Sequence, residues 1–174
     1  WAYDVTKPWN PTQTPKVQGL AAKELVNIGI CTDGQLSYLA APDTALLYGD
    51  DFGAECSFAL TAPESGQYYL HIQPAHSPQY CAVQFTFDGE EIGQPYDATA
   101  NGSDESGLLL FGPLEIDDGE HILTMKTLPT EGRQPQAALV AVELGKEKRE
   151  QLIDGDLLHP VILAEWKRDI TRTR

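Results

Sequence analysis

Basic residues are scarce in the first 145 positions of this 174-residue chain. Only Lys7, Lys16, Lys23, Lys126 and Arg133 of its twelve lysines and arginines lie there, against twenty of its 26 aspartates and glutamates. A body that acidic repels phosphate, which argues against nucleic acid and anionic lipid surfaces as partners and for simple solubility. No run of eighteen apolar residues is present, so no membrane-spanning helix is expected. No charged-then-apolar leader opens the chain, and it begins at Trp1 rather than Met, which predicts a processed or excised product. Cysteine is sparse too. Cys31, Cys56 and Cys81, spaced by 25 residues twice, fit no metal or haem signature; three small buried hydrophobes are expected, with one disulfide plus one thiol as the alternative if the protein is secreted. GxSxG, HExxH, CxxC, P-loop and GxGxxG patterns are all lacking, so no catalytic residue, and no enzyme, is expected.

What is present is period-two patterning. Residues 55–61 alternate with Cys56, Phe58 and Leu60 on one face, and 67–73 with Tyr68, Leu70 and Ile72. Residues 81–87 run into an Asp88-Gly89 turn, a strong hairpin signal. The apolar run 107–116 is interrupted at Gly112-Pro113, which predicts a bulge or an edge. Residues 120–127 and 137–144 follow, and shorter apolar segments precede at 25–30, 36–39 and 45–48. Eight or nine short strands with turns every ten residues or so predict an all-β fold: a two-sheet antiparallel β-sandwich or jelly roll. Residues 18–24 fit either a strand or a short helix. The expected organisation is an N-terminal arm at 1–16, a sandwich at 17–145 and a tail at 146–174, the tail carrying a short helix or an extended segment after Pro160.

Function is expected where rings and polar side chains meet on loops. Tyr80 and Tyr96 fall on the predicted loops 74–80 and 94–106, beside His76, Asp97 and Asn101, a composition suited to stacking on and hydrogen-bonding a sugar. The arms carry all three tryptophans; Trp1, Tyr3, Trp9, Leu163 and Trp166 are candidates for docking onto other domains or subunits. Most of the carboxylates occupy turn positions, and a lone strand histidine such as His71 or His121 is expected to be a structural, hydrogen-bonded residue.

The stretch from about 66 to 144, under half of the chain, also resembles the β-sandwich modules appended to bacterial carbohydrate-active enzymes. GQYYLHI matches a G-x-Y-x-(V/L)-x-(V/I) strand, VQFTFDGEEIG a strand-turn-strand with Asp88, Gly89, Ile92 and Gly93, and LEIDDGEHIL the strand holding Gly119, His121 and Leu123. Gly93, Tyr96 and Asp97 resemble a Gly-x-x-Tyr-Asp segment of the same modules. The resemblance implies a non-catalytic accessory module of a carbohydrate-processing protein that binds glycan weakly, in an extracellular or periplasmic setting. It also implies a structural calcium, for which Glu24 and Glu143 are the candidates; no other cofactor is expected. The competing expectation is a structural or assembly domain that holds subunits or domains of a larger complex together through its two arms.

Overall fold

The computed structural model describes residues 16–40, 43–98 and 108–148. Trp1, Tyr3, Trp9, Leu163, Trp166 and Asn101, and with them the expected arm and tail, lie outside the described residues. Eleven strands and one helix are described: β1 (Lys16–Ala21), α1 (Ala22–Ile28), β2 (Ile30–Thr32), β3 (Gln35–Ala40), β4 (Asp43–Tyr48), β5 (Glu55–Ala62), β6 (Gly66–Ala75), β7 (Ala82–Phe87), β8 (Glu90–Asp97), β9 (Leu109–Ile116), β10 (Gly119–Thr127) and β11 (Gln136–Gly145).

They form the expected two-sheet sandwich. One sheet runs β3-β4-β11-β6-β9, with β1 also paired to β11; the other runs β2-β5-β10-β7-β8. Every pairing is antiparallel. Alternation sets which side chains go inward. Tyr68, Leu70 and Ile72 of β6 and Val142 and Leu144 of β11 face Cys56, Phe58 and Leu60 of β5, Val83, Phe85 and Phe87 of β7, and Leu123 and Met125 of β10.

The segment 25–30, expected among the strands, is instead mostly helix. Ala22 and Leu25, three apart, both bury on one face of α1, while Lys23, Glu24 and Asn27 stay exposed. Glu24 turns its carboxylate back to accept the Ala21 N–H at 3.4 Å, and Gly29 donates to the Leu25 carbonyl at 2.8 Å. A side chain at Gly29 would collide with Leu36 and Cys56, so the chain can pass between the sheets only with glycine there.

The Asp88-Gly89 turn forms as expected, with φ of 52° and 85°. Both values are positive, as a tight hairpin of matching twist requires. The Asp88 carboxylate then reaches across to β10, accepting the Ile122 N–H at 2.8 Å and meeting His121 Nδ1 at 2.5 Å, while His121 Nε2 lies 2.6 Å from the Asp117 carbonyl. Phe87 stacks on the imidazole at 5.6 Å. Burial alone disfavours the imidazolium, but the Asp88 carboxylate and the Asp117 carbonyl outweigh it, and the His121 pKa rises from its ordinary 6.5. A raised folded pKa means that the stability it brings is complete below pH 6.5 and is lost as pH rises through the folded value. The melting temperature should therefore fall on going from pH 6 to pH 9, and His121→Gln should flatten that slope in a thermal-denaturation series. An unchanged slope would remove His121 from the account.

Candidate functional site

Strand directions bring a set of connections to one end of the sandwich. The β2–β3 turn, the β4–β5 loop, the β6–β7 loop, the β10–β11 loop and the C-terminus of β8 all gather there, while the β5–β6, β7–β8 and β9–β10 turns lie at the other. The connections at the first end are laced by backbone hydrogen bonds: Gly49 N–H to Pro135 O at 3.1 Å, Gln134 N–H to Gln79 O at 2.9 Å, and Ser77 N–H to Ala98 O at 3.1 Å. Thr130 Oγ1 accepts the Ala82 N–H at 2.9 Å, which fastens the β10–β11 loop to the start of β7.

The sequence candidates divide into two groups. His76 and Tyr96 meet: the His76 Nε2 is hydrogen-bonded to the Tyr96 hydroxyl, with ring centroids 5.5 Å apart. Tyr80 stands in the same β6–β7 loop, its N–H bonded to the Ser77 carbonyl and its phenol pKa pushed up by burial. Tyr96 and Asp97, expected on a loop, are instead the last residues of β8, paired with Val83 and Ala82 of β7. Pro95 is accommodated there because β8 is the edge strand of its sheet, where a missing N–H is tolerated. Likewise Pro74 and Ala75, expected in the following loop, complete β6. Pairing with β7 leaves the Tyr96 ring partly packed on the core and Asp97 exposed.

A second group escaped sequence reasoning. Gln35, Tyr48 and Gln136 are directly opposed on β3, β4 and β11. Opposed residues share a face, and Leu47 and Ala137 beside them point into the core, so this row lies on the outer side. The Tyr48 hydroxyl donates to Gln35 Oε1 at 2.8 Å, and Gln136 Nε2 donates to Gln79 Oε1 at 3.3 Å. Asp33, Gly34, Gln35, Tyr48, Gly49 and Asp50 line a cleft of about 190 Å³ at its margin. The row thus joins a carboxylate-edged cleft to the loop that carries His76 and Tyr80. Gln35 and Tyr48 are close in the chain, but Gln136 lies 88 positions beyond Tyr48, and sheet register brings it beside them.

Two positions of the cleft wall are packed too closely for a side chain. A Cβ at Gly34 would stand 2.8 Å from both the Ala54 Cβ and the Tyr48 carbonyl oxygen; one at Gly49 would stand 2.8 Å from the Asp33 carbonyl oxygen. Gly34→Ala should cost about 1–3 kcal/mol through this overpacking, read by urea denaturation.

The calcium expectation fits poorly. Glu24 is exposed at the start of α1, and Glu143 is buried on β11 opposite His71 of β6. Among the described residues no group of three or more histidines, cysteines or acids is placed to hold a metal ion. Among them, too, no helix is long and apolar enough to cross a membrane.

No protein-family model and no curated protein matches the chain. Solved structures do. A Paenibacillus xanthan lyase superposes with a TM-score of 0.61 at 17% identity over 82% of this chain, which corresponds to only 14% of the lyase. A family 35 carbohydrate-binding module from Clostridium thermocellum gives 0.54 at 13% identity, covering 75% of this chain and 99% of the module. The CBM36-1 domain of a multidomain xylanase, from the hindgut metagenome of Trinervitermes trinervoides, gives 0.54 at 11% identity, covering 76% and 98%. At such identities the likeness is one of fold, and the fold of this chain is the β-sandwich of carbohydrate-binding modules.

Proposed function

We propose that the chain is a non-catalytic accessory module that binds glycan weakly across the loop end of its sandwich. The observation that carries this is the outer-face row Gln35–Tyr48–Gln136 with Gln79, set beside a cleft edged by Asp33 and Asp50. Amides and carboxylates offer paired donors and acceptors that match vicinal hydroxyls, and half-exposed tyrosines offer apolar ring surface to a sugar face. Tyr80, Tyr96, Asp97 and His76 extend the same end surface. Asn101 belongs to this proposal by sequence position alone. The neighbouring folds include modules that stand as whole chains and a segment of a polysaccharide lyase, which supports an accessory role within a larger protein.

The test is a glycan array with affinity gels, followed by titration of any hit against single variants. Tyr48→Ala and Tyr80→Ala should each weaken binding by about 1–3 kcal/mol, or roughly 5- to 150-fold. Glu120→Ala, in the strand that leaves the opposite end, should change nothing. A hit unaffected by either tyrosine would move the site elsewhere. No hit, with a partner subunit co-purifying, would favour the assembly reading of the arms.

A further inference from the structure

We propose that Cys31 and Cys56 are a disulfide-forming pair, a cross-link between edge strand β2 and its neighbour β5 that closes in an oxidising thiol–disulfide environment. The two residues are direct partners in the β2–β5 ladder, and their Sγ atoms face each other at 3.2 Å as thiols. Opposed residues of an antiparallel pair lie about 4.5–5.5 Å apart at Cα, within the range that a disulfide spans. Cys81 is the wrong partner: it is buried ahead of β7, and β10 separates β7 from β5.

Access sets the order of the chemistry. Cys56 is fully buried, and burial pushes its thiol pKa far up, with Cys31 beside it adding to the rise. Cys31 is half-exposed on an edge strand. The Cys31 thiolate attacks a sulfur of oxidised glutathione and releases one glutathione thiolate, which takes up a proton. Cys56 then loses its proton and attacks the Cys31 sulfur, expelling the second glutathione thiolate. Two protein thiols and one glutathione disulfide become one protein disulfide and two glutathione thiols, so atoms and electrons balance.

The cross-link would matter for the cleft. β2 has three residues, and the segment between the two cysteines holds both walls of the cleft, Asp33–Gln35 and Tyr48–Asp50. Closing that loop removes unfolded-chain entropy and fixes the strand that leads into Asp33.

The experiment equilibrates the intact chain in oxidised and reduced glutathione mixtures, quenches with acid, alkylates and maps peptides by mass. A Cys31–Cys56 linked peptide should dominate, with the intact mass lower by two hydrogens. The melting temperature should rise by about 10 °C over the reduced form. Cys81→Ser should keep both effects, and Cys31→Ser should lose both. Should Cys31→Ser fail to fold, the wild-type peptide map decides alone. Native protein that retains three thiols in oxidised glutathione, a stable glutathione adduct on Cys31, or a link to Cys81 would each overturn the proposal.

Discussion

Tyr68→Ala should cost about 3–5 kcal/mol of folding stability, while Tyr68→Phe should cost about 1. Tyr68 is fully buried on β6, which lies between β11 and β9, so its ring is wrapped by strands on both sides as well as by the facing sheet. Deleting such a side chain removes its apolar area and leaves a cavity that a rigid strand cannot close. The hydroxyl adds a separate contribution: it donates to the carbonyl of Glu64, four residues earlier, and pins the β5–β6 turn to the end of the core. Lys146 completes the corner, with Nζ 5.1 Å from the Tyr68 ring centroid and 2.6 Å from Glu64 Oε1. Both ends of that ion pair meet water, so Lys146→Ala should matter little. Urea denaturation of the three variants should rank alanine far above phenylalanine, and phenylalanine above the lysine change. Equal losses for the phenylalanine and alanine variants would mean that the hydroxyl, not the ring, governs the corner.

Tyr68 also illustrates which parts of the fold the sequence exposes. A strand buried on one face writes its environment every second residue, so β5, β6, β7 and β10 can be read directly from Phe58, Leu70, Phe85 and Leu123. The Asp88-Gly89 turn is legible because few residue pairs tolerate two positive φ values. The β1–α1 passage is not legible, since in 18–28 small, apolar and charged residues satisfy both periods until Leu25 finds a core to fill. Tyr96 and Asp97 could not be assigned to a strand from the segment alone, because Pro95 is compatible with a strand at a sheet edge, a property of the sheet and not of the segment. The site follows the same division. His76, Tyr80 and Tyr96 could be picked as loop-side rings near one another in sequence. Gln35, Tyr48 and Gln136 carry no local signal, because their adjacency arises from the β3–β4 and β4–β11 registers.

Gly112→Ala is the second substitution expected to be severe, at about 3 kcal/mol or more, because two independent costs fall on one residue. The first is conformational. Gly112 has φ of 138°, which side-chain-bearing residues rarely adopt, and holding one there costs roughly 1–3 kcal/mol. The second is steric. A Cβ would sit 2.9 Å from the Tyr68 carbonyl oxygen and 3.3 Å from the Leu114 nitrogen, both backbone atoms that cannot rotate away. The requirement for glycine follows from the ladder. β9 pairs with β6 as Tyr68 with Leu114 and Leu70 with Phe111, so two residues of β9, Gly112 and Pro113, stand where β6 has only Tyr69. That extra residue is the irregularity expected from the Gly112-Pro113 interruption, and β9 is the edge of its sheet. The bulge lets Leu109 and Phe111 pack on the core before it, and Leu114 and Ile116 after it. Replacing Gly112 should therefore loosen the β6–β9 ladder on both sides, with amide exchange accelerating along Gly66–Ile72 while β5 and β10 in the opposite sheet stay protected until global unfolding. Uniform acceleration across both sheets would instead assign the loss to global stability, and a melting temperature within a degree or so of wild type would remove the bulge from the account altogether.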